Sequence, residues 1–125
     1  MREIKRNYLK ILRIEIEDLK QDIEALIEGC RREHESELLT HYVFMENLIV
    51  FRNELLGVDY FFKVLDSVDP DRYETLDDMT ADLMATFRSM VEERGLPRDI
   101  SYYVERKLKK VKQYVLRQVT PPERS

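Results

Sequence analysis

From Leu9 to Cys30 the chain carries an unbroken heptad seam: Leu9, Leu12, Ile16, Leu19, Ile23, Leu26 and Cys30 alternate steps of three and four. This spacing places all seven on one stripe of an α-helix and conflicts with the period of two that a half-buried strand needs. No proline or glycine interrupts residues 2–28, so the pattern predicts a first helix of about 27 residues. Leu9, Ile16, Ile23 and Cys30 take the a positions and Leu12, Leu19 and Leu26 the d positions, a repeat that winds paired helices left-handedly. Ile4, Tyr8, Ile11 and Ile14 widen the apolar arc in the first half, which implies contact with more than one neighbouring helix there.

Gly29 either ends this helix or is carried through it, at a cost of about 1 kcal/mol against alanine. A second helix is expected from Arg32 to about Leu56. It has two apolar stripes, one of Phe44, Leu48, Phe51 and Leu55 and the other of Leu38, Tyr42, Met45 and Ile49, as befits a central helix. Gly57 and Asp59 suggest a break before a short third helix, Tyr60 to Val68. Asp69 with Pro70, or Thr75 with Asp78, then starts a helix from Leu76 to about Arg94 that buries Met79, Leu83, Phe87 and Met90 or Val91. Gly95 and Pro97 stop it. Asp99 caps a last helix, Ile100 to Val119, with Val104, Leu108, Val111, Val115 and Val119 on one narrow face.

The expected fold is therefore all-α: a bundle of four to five helices with a long N-terminal heptad helix, one domain over residues 1–119 and a flexible C-terminal tail over 120–125. Three glycines and four prolines in 125 residues fit long helices with few turns. A chain of this length can bury a core without metal or disulfide help, and no cofactor is called for. The most apolar stretch, Leu38 to Val68, is interrupted by Glu46, Arg52, Glu54, Asp59, Lys63 and Asp66, so no membrane span is expected. A lone cysteine and no apolar leader make the cytoplasm the expected location.

The net charge of −4 is unevenly distributed. Residues 1–13 hold five basic and one acidic side chain and residues 105–117 six and one, while residues 14–104 hold 22 acidic and nine basic. Arg106, Lys107, Lys109, Lys110, Lys112 and Arg117 form a basic face on the last helix. Such a face either neutralises phosphates of a polyanion or answers the acidic middle of the chain itself.

Three functional classes follow. The first is a non-catalytic protein-protein interaction or regulatory module that self-associates as a homodimer through Leu9, Leu12, Ile16, Leu19, Ile23, Leu26 and Cys30. Isoleucine at a with leucine at d suits a parallel pair, in which Glu15 would face Lys20 of the partner. The same seam serves equally to pack antiparallel helices of one monomer. The second class is a nucleic-acid-associated protein using the basic face. The third is a helical metal-dependent enzyme with Glu37 and His41, one turn apart, as candidate ligands, and Glu15 with Asp18 as a further acidic pair. On one continuous helix His34 and His41 would lie about 10.5 Å apart, too far to share an ion. Neither serines nor Cys30 have a histidine at a spacing that argues nucleophilic catalysis.

Overall fold

A computed structural model describes residues 2–119. It contains four α-helices and, among the described residues, no strand: α1 (Arg2–Glu35), α2 (His41–Ser67), α3 (Leu76–Glu93) and α4 (Arg98–Val119), with a 3₁₀ turn at Pro70–Arg72 between α2 and α3. The tail expected over 120–125, and the side chain of Val119, lie outside the described residues.

Gly29 is carried through, and α1 extends over 34 residues to Glu35. It ends because Glu37 adopts a left-handed backbone, φ 62°, letting the Leu38 amide donate to the Glu33 carbonyl (2.8 Å) and the Glu37 amide to that of His34 (3.1 Å). The same closure, with two orphan carbonyls satisfied by the chain beyond the helix, ends α3. There Gly95 holds the left-handed position, φ 63°, and the Leu96 amide reaches the Val91 carbonyl at 3.0 Å.

The second helix departs from expectation at both ends. It starts at His41, where Thr40, in extended backbone, accepts a hydrogen bond from the Val43 amide at 3.2 Å. It then continues unbroken to Ser67. Gly57 makes no break; a Cβ there would lie 3.1 Å from Cγ1 of Ile100, so the missing side chain lets α4 approach α2. Both proposed starts near residue 70 are used. Asp69 accepts from the Asp71 amide to cap the 3₁₀ turn, and Thr75 accepts from the Asp78 amide at 3.0 Å to cap α3. Asp99 lies in the first turn of α4, one residue past its start.

Neighbouring helices run antiparallel. Lys20 pairs with Asp59 and Arg13 with Asp66 along α1 and α2; Arg88 with Glu105 and Lys112 with Asp77 join α3 and α4. Along α1 and α4, Tyr8 sits at the level of Leu108 and Asp18 at that of Lys107. One core draws on all four helices, centred on Tyr8, Leu12, Ile16, Phe61, Met79, Phe87, Ile100 and Val104. Phe61 and Phe87 meet edge-on, their centroids 5.0 Å apart. Tyr8 is fully enclosed, and its hydroxyl donates to the Leu108 carbonyl at 3.2 Å; burial pushes the phenol above its usual range.

Beyond the level where Gly57 meets Ile100, α3 and α4 have ended and only α1 and α2 continue. Residues 41–53 of α2 extend this two-helix hairpin by roughly 20 Å, at 1.5 Å per residue. A small separate cluster fills it: Cys30, Phe44 and Leu48, flanked by Ile27, Leu39 and Phe51.

Candidate functional site

The heptad seam is largely covered by the chain's own helices. Leu12, Ile16, Leu19 and Ile23 are buried in the main core, with Leu9 packed against it. Cys30 is buried in the hairpin cluster. Of the seven, Leu26 alone faces out, 53% exposed. The Glu15 and Lys20 charges are also engaged internally. Glu15 accepts from Lys107 and Lys110 at 3.1 and 3.0 Å, and Lys20 lies 3.6 Å from Asp59.

The basic face of α4 is substantially answered by acidic groups of the same chain. Lys107 donates to Glu15 and to Asp18 (3.4 Å), Lys112 pairs with Asp77, and Lys109 lies 3.6 Å from Glu105 on its own helix. Lys110 shares Glu15, and the Arg106 guanidinium packs against the Tyr102 ring at 5.8 Å. Arg117 has no ion-pair partner among the described residues. The hydrogen bonds from Lys110 and Lys107 hold the Glu15 carboxyl below its usual range. Burial works against the charge on Lys107, but Glu15 and Asp18 outweigh it and raise its pKa.

The two histidines are corrected in position. Because the chain turns at 36–40 instead of continuing as one helix, the His34 and His41 rings come within 5.5 Å, and His34 stacks on Phe44 at 4.3 Å. Glu37 occupies the left-handed position of that turn. No three His, Cys, Asp or Glu side chains among the described residues converge to hold a metal ion. The acidic residues near position 70 serve the fold: Asp66 pairs with Arg13, Asp69 caps, and Asp71 lies 3.3 Å from Arg6.

Two features remain that the fold does not account for. The first is an outer stripe of α2 that keeps Tyr42, Met45 and Ile49 of the second stripe expected from the sequence and adds Leu56, while Leu38 falls before the helix. Tyr42, Met45, Ile49 and Leu56 fall at heptad spacing about a third of a turn from Phe44, Leu48 and Phe51, and all four are exposed, Tyr42 at 70% and Ile49 at 56%. Leu38, 76% exposed, sits at the hairpin tip beside them. No described residue of the chain covers this stripe.

The second is a cleft of about 760 Å³ where α4 begins and the hairpin emerges. Leu19, Ile23 and Leu26 of α1, Val50 and Phe51 of α2, and Tyr103 of α4 form its apolar walls. Glu54 also lines it, only 4% exposed, and makes no hydrogen bond or ion pair with any described residue. Desolvation, with Asp99 nearby, raises its carboxyl to about 7. Sequence reasoning treated Glu54 merely as an interruption of an apolar stretch. A signal was present: Glu54 follows Phe51 by three positions and precedes Val58 by four, which puts an acid on the buried stripe of α2.

No protein-family model matches this chain, and no curated protein or solved structure does either. No described helix is long and apolar enough to cross a membrane.

Proposed function

We propose that this protein is a helical interaction module that pairs with a second copy of itself through the outer stripe of α2. The carrying observation is a helix with two apolar faces of which the described residues cover one, leaving Tyr42, Met45, Ile49 and Leu56 exposed. Large exposed apolar residues gathered on one helix face of a small protein support a contact surface.

A second copy is favoured by cross-section and by charge. The body of the molecule is four helices across, whereas the hairpin is two, so two hairpins laid together restore a four-helix section with a shared interior. An interface of one stripe against its own twin is isologous and closes at two subunits. Glu46 borders the stripe and Arg52 takes the seam position between Ile49 and Leu56, so an identical face brings both signs together. On this reading self-association uses α2, and the α1 seam serves the monomer's interior.

Sedimentation equilibrium tests the reading. The wild-type chain is expected to be a dimer at ~100 µM, a concentration that populates even an interface with a Kd of ~10 µM. Ile49→Glu, alone or with Met45→Glu, should yield a monomer with unchanged helix content. Ile14→Glu, at an exposed position on α1, should leave the dimer intact. A wild-type monomer at that concentration, or equal loss of dimer from Ile14→Glu and Ile49→Glu, rejects the proposal.

A further inference from the structure

We infer that the cleft between α1, α2 and the start of α4 is a binding site for a small amphiphilic amine, with its ammonium against Glu54 and its hydrocarbon part against Ile23, Leu26, Val50 and Phe51.

The charge balance of the cleft selects a cation. Asp22, Glu54 and Asp99 all line it and none is ion-paired with a described residue. The lysines on the same rim, Lys107 and Lys110, have their ammonium groups on Glu15, and Lys107 also on Asp18. Only Arg106, stacked on Tyr102, offers a positive charge without a carboxylate partner. Three carboxylates against one guanidinium leave the cleft negative. Glu54 is the group with most to gain, because its carboxyl lines the cleft on a residue otherwise packed away from solvent and has no hydrogen-bond partner among the described residues, so little offsets its desolvation. An ammonium supplies both hydrogen bonds and charge at that atom.

The walls select the rest of the ligand. Leu19, Ile23, Leu26, Val50 and Phe51 present hydrocarbon to a space of about 760 Å³, within the range of small-molecule sites. A bare metal ion or an inorganic cation would leave those walls wet, whereas an alkyl or aryl amine covers them.

The site is distinct from the dimer stripe. Val50 and Glu54 project from the side of α2 towards α1 and α4, about a quarter to a third of a turn from the direction of Tyr42, Met45 and Ile49, which lie on the outer face.

Hexylammonium, hexanol and hexanoate, followed by calorimetry and by amide chemical shifts, form the test. Hexylammonium should bind and move the amides of Ile23, Val50 and Glu54, with hexanol and hexanoate at least about tenfold weaker, the scale of one charge-assisted hydrogen bond. Glu54→Gln should lose binding by a similar factor while remaining folded, and Val50→Trp, which fills the cleft, should also lose it. Affinity for the amine should fall about tenfold from pH 8 to pH 6, because the Glu54 carboxyl, with a pKa of about 7, gains a proton over that interval. The other titratable or charged groups that face the same space are Asp22, Asp99, Tyr103, Arg106, Lys107 and Lys110. Ile49→Glu should bind the amine as the wild type does. Equal affinity for hexanol, undiminished binding in Glu54→Gln, or loss of binding in Ile49→Glu would each overturn the assignment.

Discussion

Glu54 is the residue at which fold and chemistry conflict most sharply. Its carboxyl ionises at about 7 in the fold against 4.5 for the free group. The native state therefore holds a proton that the unfolded chain has released between those values, and stability falls as the pH rises through that window. Glu54→Gln removes the penalty. Urea denaturation should show the variant more stable than wild type by on the order of 2 kcal/mol at pH 8, with the difference shrinking towards zero near pH 4.5. Glu15 has the opposite sign. Lys110 and Lys107 lower its pKa, so its contribution is present above the carboxylate range and is lost as the pH falls through it. Glu15→Gln should cost about 1 kcal/mol at pH 7 and little at pH 3, measured by the same denaturation series. A third position is backbone in origin. Glu37 bears a side chain at φ 62°, where L-residues are strained by roughly 1 kcal/mol, and Glu37→Gly should raise stability by about that amount.

At the scale of the element, glycines explain what was legible in the sequence and what was not. Gly95 read correctly as a stop because its role is local: the left-handed turn, the closing Leu96 amide and the following Pro97 all lie within a few residues. Gly57 looked equally like punctuation, yet it sits inside α2 because Ile100 packs against its bare Cα from another helix. No short window of sequence contains that information. The two sites should respond oppositely to a test that treats Gly29 as the reference. A Cβ at Gly29 meets nothing nearer than 3.8 Å, so Gly29→Ala should stabilise by about 1 kcal/mol through helix propensity alone. Gly57→Ala should instead lose about 1 kcal/mol, since crowding against the buried Ile100 exceeds the same propensity gain. Thermal unfolding of both variants distinguishes them. The start of α2 was missed for a related reason: Thr40 lacks a glutamate or glutamine three residues later, so its cap gives only half of the usual signature.

For the molecule as a whole, periodicity revealed an all-helical bundle of four to five helices, but not that the second and third expected helices are one, α2, nor which stripes the chain would cover. The seam on α1 and the outer stripe on α2 are both regular apolar repeats. One is interior because α2 and α4 reach it; the other is bare because α3 and α4 stop short of the hairpin. That distinction depends on where helices end in space, and a pattern of one segment does not contain it. The cleft was hidden in the same way, being assembled from residues of α1, α2 and α4. The hairpin's two-helix section also predicts uneven stability. Amides of residues 27–50 should exchange with solvent faster than those of residues 8–16 and 104–111 in dilute protein, and should gain protection as concentration rises if a second copy covers the outer stripe.

Tyr8 and the carbonyl that receives its hydroxyl are separated by 100 positions of sequence. During synthesis the heptad helix emerges first with its apolar face open, and the α1–α2 hairpin can close as soon as residue 67 is available. The body cannot close then, because the pocket for Tyr8 needs Leu108, in the middle of α4. A nascent chain halted between α2 and α4 would expose the face from Tyr8 to Ile23, making that interval the stretch of translation most in need of a chaperone.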